Sequence, residues 1–141
     1  MMQAARFRRP RKLEPHHIDS LGHVNNLVWV EFVLELAHAH ALELGIDSAS
    51  TARHGGLWII RRQEIDYLRP GLKGDEIIEE TWVESMRGAR SVRQSRFTRV
   101  RDGILLVSAV THWAYVDART QRPRRIDAAV HAALAEHTRK A

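Results

Sequence analysis

The chain has 141 residues, 44% hydrophobic and 28% charged, with no cysteine and a formal net charge of +5. That describes one ordinary soluble domain and excludes disordered and fibrous classes, disulfide frameworks, thiolate metal sites and cysteine nucleophiles. The surplus charge is local: residues 1–13 hold five basic side chains and no acid, and the rest balances 17 basic against 17 acidic residues. Residues 1–12 therefore read as a basic N-terminal arm, either frayed and solvated or touching phosphates, ahead of a single domain over 13–141. Phe7–Leu13 can supply a first strand, which Pro10 would place at a sheet edge. Residues 27–44 form the one long helical pattern, with Asn25 and Asn26 as N-cap candidates and Gly45 as its stop. Its polar stripe, Glu31, Glu35 and His38, is narrow, so the helix reads as buried and in need of a wrapping layer.

Four strands are expected next, over Leu57–Leu68, Asp75–Met86, Ala89–Arg101 and Leu105–Asp117. They are separated by Arg69-Pro70-Gly71, Arg87-Gly88 and Asp102-Gly103, the last a signal for a tight type I′ hairpin. Strands this long imply strong curvature. A weak terminal helix over 127–138 closes the chain. The expected architecture is α+β, with a curved antiparallel sheet around one long central helix. The longest uncharged run, Gly103–Val116, is 14 residues, short of the roughly 18 that span a bilayer, and no signal peptide is visible. A cytoplasmic protein with no membrane partner is expected.

The charges are blocked along the chain. Residues 14–52 carry six acids and no Lys or Arg, and 74–84 carry five acids. Residues 85–101 then hold six arginines, among them Arg87 and Arg90, and 118–125 add four more, including Arg124. Acidic and basic strands can pair across a sheet. Alternatively, the arginine stretches can cradle a phosphorylated ligand through bidentate contacts. Basicity without a nucleic-acid motif is a weak signal, and no nucleic-acid partner is expected.

Residues 16–26, HHIDSLGHVNN, are polar and lie immediately before the long helix. The first-turn N–H groups of that helix have no intrahelical partners and sit at its positive dipole end. Gly22 permits a tight turn that can bring Asp19 beside them, setting a carboxylate next to an oxyanion site. Asp19 as an ordinary turn or capping residue is the competing reading. The histidines lack zinc-site spacing and no Gly-x-Ser-x-Gly elbow occurs, so neither a metal nor a serine triad is expected.

Asp19-x-x-Gly22-His23-Val24-Asn25-Asn26, followed by an aromatic-rich helix, resembles the signature of hotdog-fold acyl thioesterases of the 4-hydroxybenzoyl-CoA thioesterase-like and acyl-ACP thioesterase-like branch. The resemblance continues through Ile65–Pro70, Gly74-Asp75, Asp102-Gly103, Thr111–Asp117 and Arg122–Ile126, covering roughly residues 13–130. It implies a hotdog fold, hydrolysis of an acyl-CoA thioester, no cofactor, and a homodimer or homotetramer with sites at the subunit interface. It further implies Asp19 as nucleophile or base and the Asn26 N–H as the group polarising the thioester oxygen. Gly22 and His23 complete the catalytic segment. Asn25, Trp29, Tyr67, Arg87, Arg90 and Arg124 are the expected substrate contacts, the arginines meeting CoA phosphates or an acyl carrier protein. Relatives often carry a second acid two positions before the catalytic one, where this chain has His17. A non-catalytic acyl-CoA-binding module and an acyl-ACP thioesterase are the alternatives.

Overall fold

A computed structural model describes residues 6–139. Its elements are strand β1 (Phe7–Lys12), helices α1 (Asn26–Glu43) and α2 (Ser48–Arg53), strands β2 (Gly56–Tyr67), β3 (Glu76–Arg87), β4 (Arg90–Arg99) and β5 (Leu105–Asp117), and helix α3 (Ala128–Arg139). The strands form one antiparallel sheet in the order β1-β3-β4-β5-β2. Register shifts between Ile60 and Arg62, Val83 and Ser85, and Phe97 and Thr98 mark bulges, which bend long strands and increase their twist. The helix-on-curved-sheet arrangement expected from the residues is the one found. Helix α2 was not foreseen, because six residues of SASTAR carry no apolar period.

The inward face of the sheet meets α1. One core cluster gathers Trp29, Phe32, Val33 and Leu36 of α1 with Leu13, Ile77, Phe97 and Val107. A second joins Val83 and Tyr115 to Ile46, Ile126, Val130 and Leu134, sealing the far end of α1 with α3. Fully burying an aliphatic or aromatic side chain is worth about 1.5–3 kcal/mol, so these clusters supply the main drive to fold.

Three expectations need correction. The helix is not wrapped all round: Leu27, Leu34 and Leu42 are 71%, 38% and 59% exposed. Together with Glu31, Glu35 and His38 they form one uncovered stripe, roughly 100° wide at 3.6 residues per turn. Nor is the described part of the basic arm frayed. Arg6 and Arg8 pair with Glu80, and Arg9 and Arg11 place their Nε atoms 2.6 and 2.8 Å from the carboxylate of Glu79. Arg11 also reaches Glu35 on α1 at 2.7 Å. Glu79 and Glu80 of the acidic block are thus answered from the β1 side of the sheet, and the first five residues of the arm lie outside the described ones. Finally, Asp102-Gly103 turns the chain inside a wider loop than a two-residue hairpin. Arg99 N–H donates to the Ile104 carbonyl, and the Asp102 carboxylate is taken up by Arg99 and by the Ile104 N–H.

Candidate active site

The segment before α1 folds as a small hairpin. The Asp19 N–H donates to the His23 carbonyl at 2.8 Å, and the Asn25 N–H to the His17 carbonyl at 3.0 Å. Ile18 and Val24 face each other between these two bonds. The turn closes through the Gly22 N–H on the Asp19 carbonyl, with Gly22 at φ +81°, a conformation that a side chain would strain. Asp19 Oδ1 accepts from the N–H groups of Leu21 at 2.8 Å and His23 at 3.2 Å. The carboxylate is therefore oriented by its own turn rather than by the first-turn amides of α1, and Oδ2 has no hydrogen bond among the described residues. The group is half-buried.

Asn25 caps α1, its Oδ1 accepting the Leu27 N–H at 2.9 Å, while its carbonyl takes the Val28 N–H. Asn26, the first helical residue, has an N–H with no intrahelical acceptor, as every first-turn amide does. The hairpin register sets Asp19 two residue pairs from this helix start. His23 is exposed, and its ring makes no hydrogen bond among the described residues. His17, in the position where relatives often carry an acid, accepts the Glu14 N–H on Nδ1 at 2.9 Å and stands edge-on to Phe32. Burial, together with nearby His16 and Arg11, holds the His17 imidazole below its ordinary value, which favours the neutral acceptor.

Beneath the hairpin lies a support that the residue pattern read only as a chain break. The Val24 N–H donates to the Gly71 carbonyl, and His23 pairs with Leu72. A Cβ on Gly71 would stand 2.9–3.0 Å from Leu13, Val24 and Trp29, so only glycine lets this loop pass beneath the hairpin. Asp75, 9% exposed, accepts from the Leu72 N–H at 3.0 Å and lies 3.3 Å from Arg99 Nη1. Its own carbonyl accepts from the Leu13 N–H. The Gly74-Asp75 pair was visible in the sequence, but its partner Arg99 lies 24 residues on and nothing local ties the two together.

The remaining expected contacts divide. Tyr67, 45% exposed, ends β2 where the chain enters the 68–75 loop, on the side of the Asp19 hairpin. Trp29 is 2% exposed and packs on Phe32 and Phe97, so it is a core residue under the hairpin and not an open substrate contact. Arg87 and Arg90 flank the β3–β4 turn and are exposed without an ion pair among the described residues. That turn packs near the start of β2 through the Arg90–Ala114 and Ala114–Ile59 pairs, at the opposite end of the sheet from Asp19. Arg124 is engaged internally, 2.9 Å from Asp127 and 2.6 Å from the His54 carbonyl, which corrects its assignment as a phosphate contact. Its role is to pin the segment before α3.

Residues 13–134 match the model of the thioesterase-like superfamily. The chain is 24% identical, over 111 residues, to the long-chain acyl-CoA thioesterase FadM of Escherichia coli (strain K12), covering 79% of this chain and 83% of that protein. A Staphylococcus aureus protein, SAV2348, solved in complex with CoA, superposes with TM-score 0.91 over 99% of this chain and 88% of its own at 13% identity. A structure from Lactobacillus plantarum superposes with TM-score 0.88 at 15% identity over 94% of this chain, which spans about half of that protein (51%).

Proposed function

Because the chain belongs to the thioesterase-like superfamily, whose chemistry is thioester hydrolysis, we propose that it cleaves an acyl-CoA thioester to free acid and CoA with Asp19 as the reacting carboxylate. The observation that carries this reading is the Asp19 geometry. Two backbone N–H groups hold Oδ1, Oδ2 is left without a bond among the described residues, and the start of α1, where the Asn26 N–H has no intrahelical acceptor, is close by in the hairpin register. In this scheme Asp19 removes a proton from the water that attacks the thioester carbon, or attacks that carbon itself to give an anhydride that water then opens. Either route breaks the C–S bond, and the departing thiolate gains a proton to leave as CoA. The negative charge that develops on the carbonyl oxygen is met by the Asn26 N–H, where preorganised donors give their largest benefit. Gly22 sets the turn and His23 borders the approaching acyl group.

CoA as the carrier is supported by the relative named as an acyl-CoA thioesterase and by the superposed CoA complex. Arg87 and Arg90, exposed and without an ion pair among the described residues, are suited to its phosphates. They lie at the other end of an 18-residue helix, about 27 Å long, from the Asp19 of the same copy. A homodimer resolves that separation. Strand β2 is an open edge of the sheet, and a twofold pairing of two such edges is necessarily antiparallel. The arginine end of one copy then faces the Asp19 end of the other. The same arginines suit an acidic acyl carrier protein, and assays with both carriers separate the two substrates. The test is thiol release from a panel of acyl-CoAs by wild type and Asp19→Asn. General acid–base roles are typically worth about 10²–10⁴-fold, so a loss of that order is expected. Equal rates for the two proteins end the Asp19 assignment.

A further inference from the structure

Beyond the Asp19 hairpin, the fold holds a second feature that the bond-breaking chemistry proposed for Asp19 does not draw on. A cavity of about 160 Å³ opens between the far half of α1, the start of β2 and the β4–β5 face, lined by Ala41, Leu57, Trp58, Ser91, Arg93 and Trp113 among others. Its α1 wall, Ala37 to Ala41, begins 11 residues beyond Asn26, about 16 Å along the helix at 1.5 Å per residue. Within one copy it is therefore separate from the Asp19 hairpin.

The polar groups of this cavity share one character. Arg93 points inward from β4 and is 6% exposed. Its Nη1 donates to His40 Nδ1 at 2.9 Å and to Thr81 Oγ1 at 3.1 Å, neither of them a carboxylate. Among the described residues it has no carboxylate partner, although Arg9, Arg11 and Arg99 each have one. Burial draws the guanidinium down to about 10, which still leaves it cationic at neutral pH. A buried charge without a counter-charge is costly, and buried arginines are ordinarily paired. Independently, the buried Nε1–H of Trp113 finds no acceptor among the described residues. The cavity thus has a buried cation in its wall and, in its lining, an indole whose N–H is unused, with a second indole ring and aliphatic side chains around them.

What such a site lacks is an anion on an apolar body. Cavities near 150 Å³ hold a molecule the size of benzene, which sets the scale of that body. We propose that this cavity binds a carboxylate carried on a single-ring-sized apolar group, the carboxylate meeting Arg93 and the Trp113 N–H and the apolar body packing against Trp58 and Trp113. The carboxylate has two possible sources, a free acid or the far end of a dicarboxylic acyl group. Neither requires Asp19 for binding.

The test begins with the wild-type protein at neutral pH, titrated with benzoate and with neutral benzyl alcohol and followed by calorimetry and tryptophan fluorescence. A charge-assisted contact of this kind is worth about tenfold or more in affinity, so benzoate should bind at least that much more tightly than the alcohol. Equal affinity of the two, or no saturable benzoate binding, overturns the proposal without any variant. Arg93→Met should then remove the benzoate preference while leaving benzyl alcohol within about twofold, and Trp113→Phe, which loses both ring surface and the N–H, should weaken benzoate more than benzyl alcohol. Benzoate affinity retained in a folded Arg93→Met protein also overturns it. The source is read from hydrolysis of CoA thioesters of a dicarboxylic and a monocarboxylic acid of equal length. A selective fall in kcat/KM for the dicarboxylic thioester in Arg93→Met identifies the acyl tail. An equal response of the two thioesters, with benzoate binding lost, identifies a free acid. Because the binding arm needs no turnover, it can fail or succeed independently of the thioesterase reading.

Discussion

Replacing Asp75 by alanine should damage the candidate site from below. In the folded chain this carboxylate is 9% exposed and accepts from the Leu72 N–H at 3.0 Å. It also lies 3.3 Å from Arg99, itself 8% exposed. A hydrogen bond involving a charged group contributes about 1.5–3 kcal/mol, and breaking a buried pair by deleting one partner costs about 3–5 kcal/mol. Here Arg99 keeps Asp102 as a second carboxylate at 3.0 Å, so the cost falls below the buried-pair range and toward the hydrogen-bond figure, about 2–3 kcal/mol. The matched control is Glu64→Ala. Glu64 and its 3.6 Å partner Arg62 are 53% and 69% exposed in their side chains, and such surface pairs are worth about 0–1 kcal/mol. Urea unfolding of both variants measures the contrast directly. Below the unfolding transition, thioester hydrolysis by Asp75→Ala should also fall, because the 70–75 loop carries the carbonyl of Gly71 that holds Val24. If Asp75→Ala shifts stability no more than Glu64→Ala, the buried pair does not hold that loop and the proposed support of the Asp19 hairpin is refuted.

Gly71→Ala should displace the hairpin by sterics alone, since its Cβ would meet Leu13, Val24 and Trp29 at 2.9–3.0 Å. Overpacking of this kind costs about 1–3 kcal/mol, readable as a lowered melting temperature together with reduced hydrolysis. His17 supplies a pH signature: its folded-state value lies below the ordinary 6.5. The unfolded chain therefore binds the proton more readily, and stability at this site is full above pH 6.5 and declines as pH falls below it. His17→Gln should flatten the urea midpoint between that value and about pH 5, above the carboxylate range. An unchanged slope would show that this imidazole does not titrate differently on folding.

Much of the fold could be read from residues close in sequence. The unbroken 18-residue helix, its Asn cap, and strands bounded by Pro-Gly, Arg-Gly and Asp-Gly all depend on local chemistry, and their ends agree with the structure within two residues. The Asp19–Gly22 turn was legible for the same reason, since Gly22 does take the left-handed conformation that the turn needs. What escaped depends on strand register. Arg9 and Arg11 meet Glu79 across some 70 residues, and nothing in the N-terminal run announces that partner. Arg93 looks in sequence like Arg90 and Arg96, yet alternation along β4 turns it inward while those two face solvent. Trp29 was misplaced because an aromatic near a helix start can face either a cleft or the core, and only the position of Phe97 decides.

The two edges of the sheet are chemically unequal. Strand β1 presents Pro10 and a run of cations, two devices that discourage another strand from adding on. Strand β2 has no proline and leaves Ile60 37% exposed. New strands can therefore add at one edge only, and an assembly joined through that edge uses it up on both members. Pairing of that kind would stop at two copies in that direction, whereas a sheet with two receptive edges could continue into a fibre.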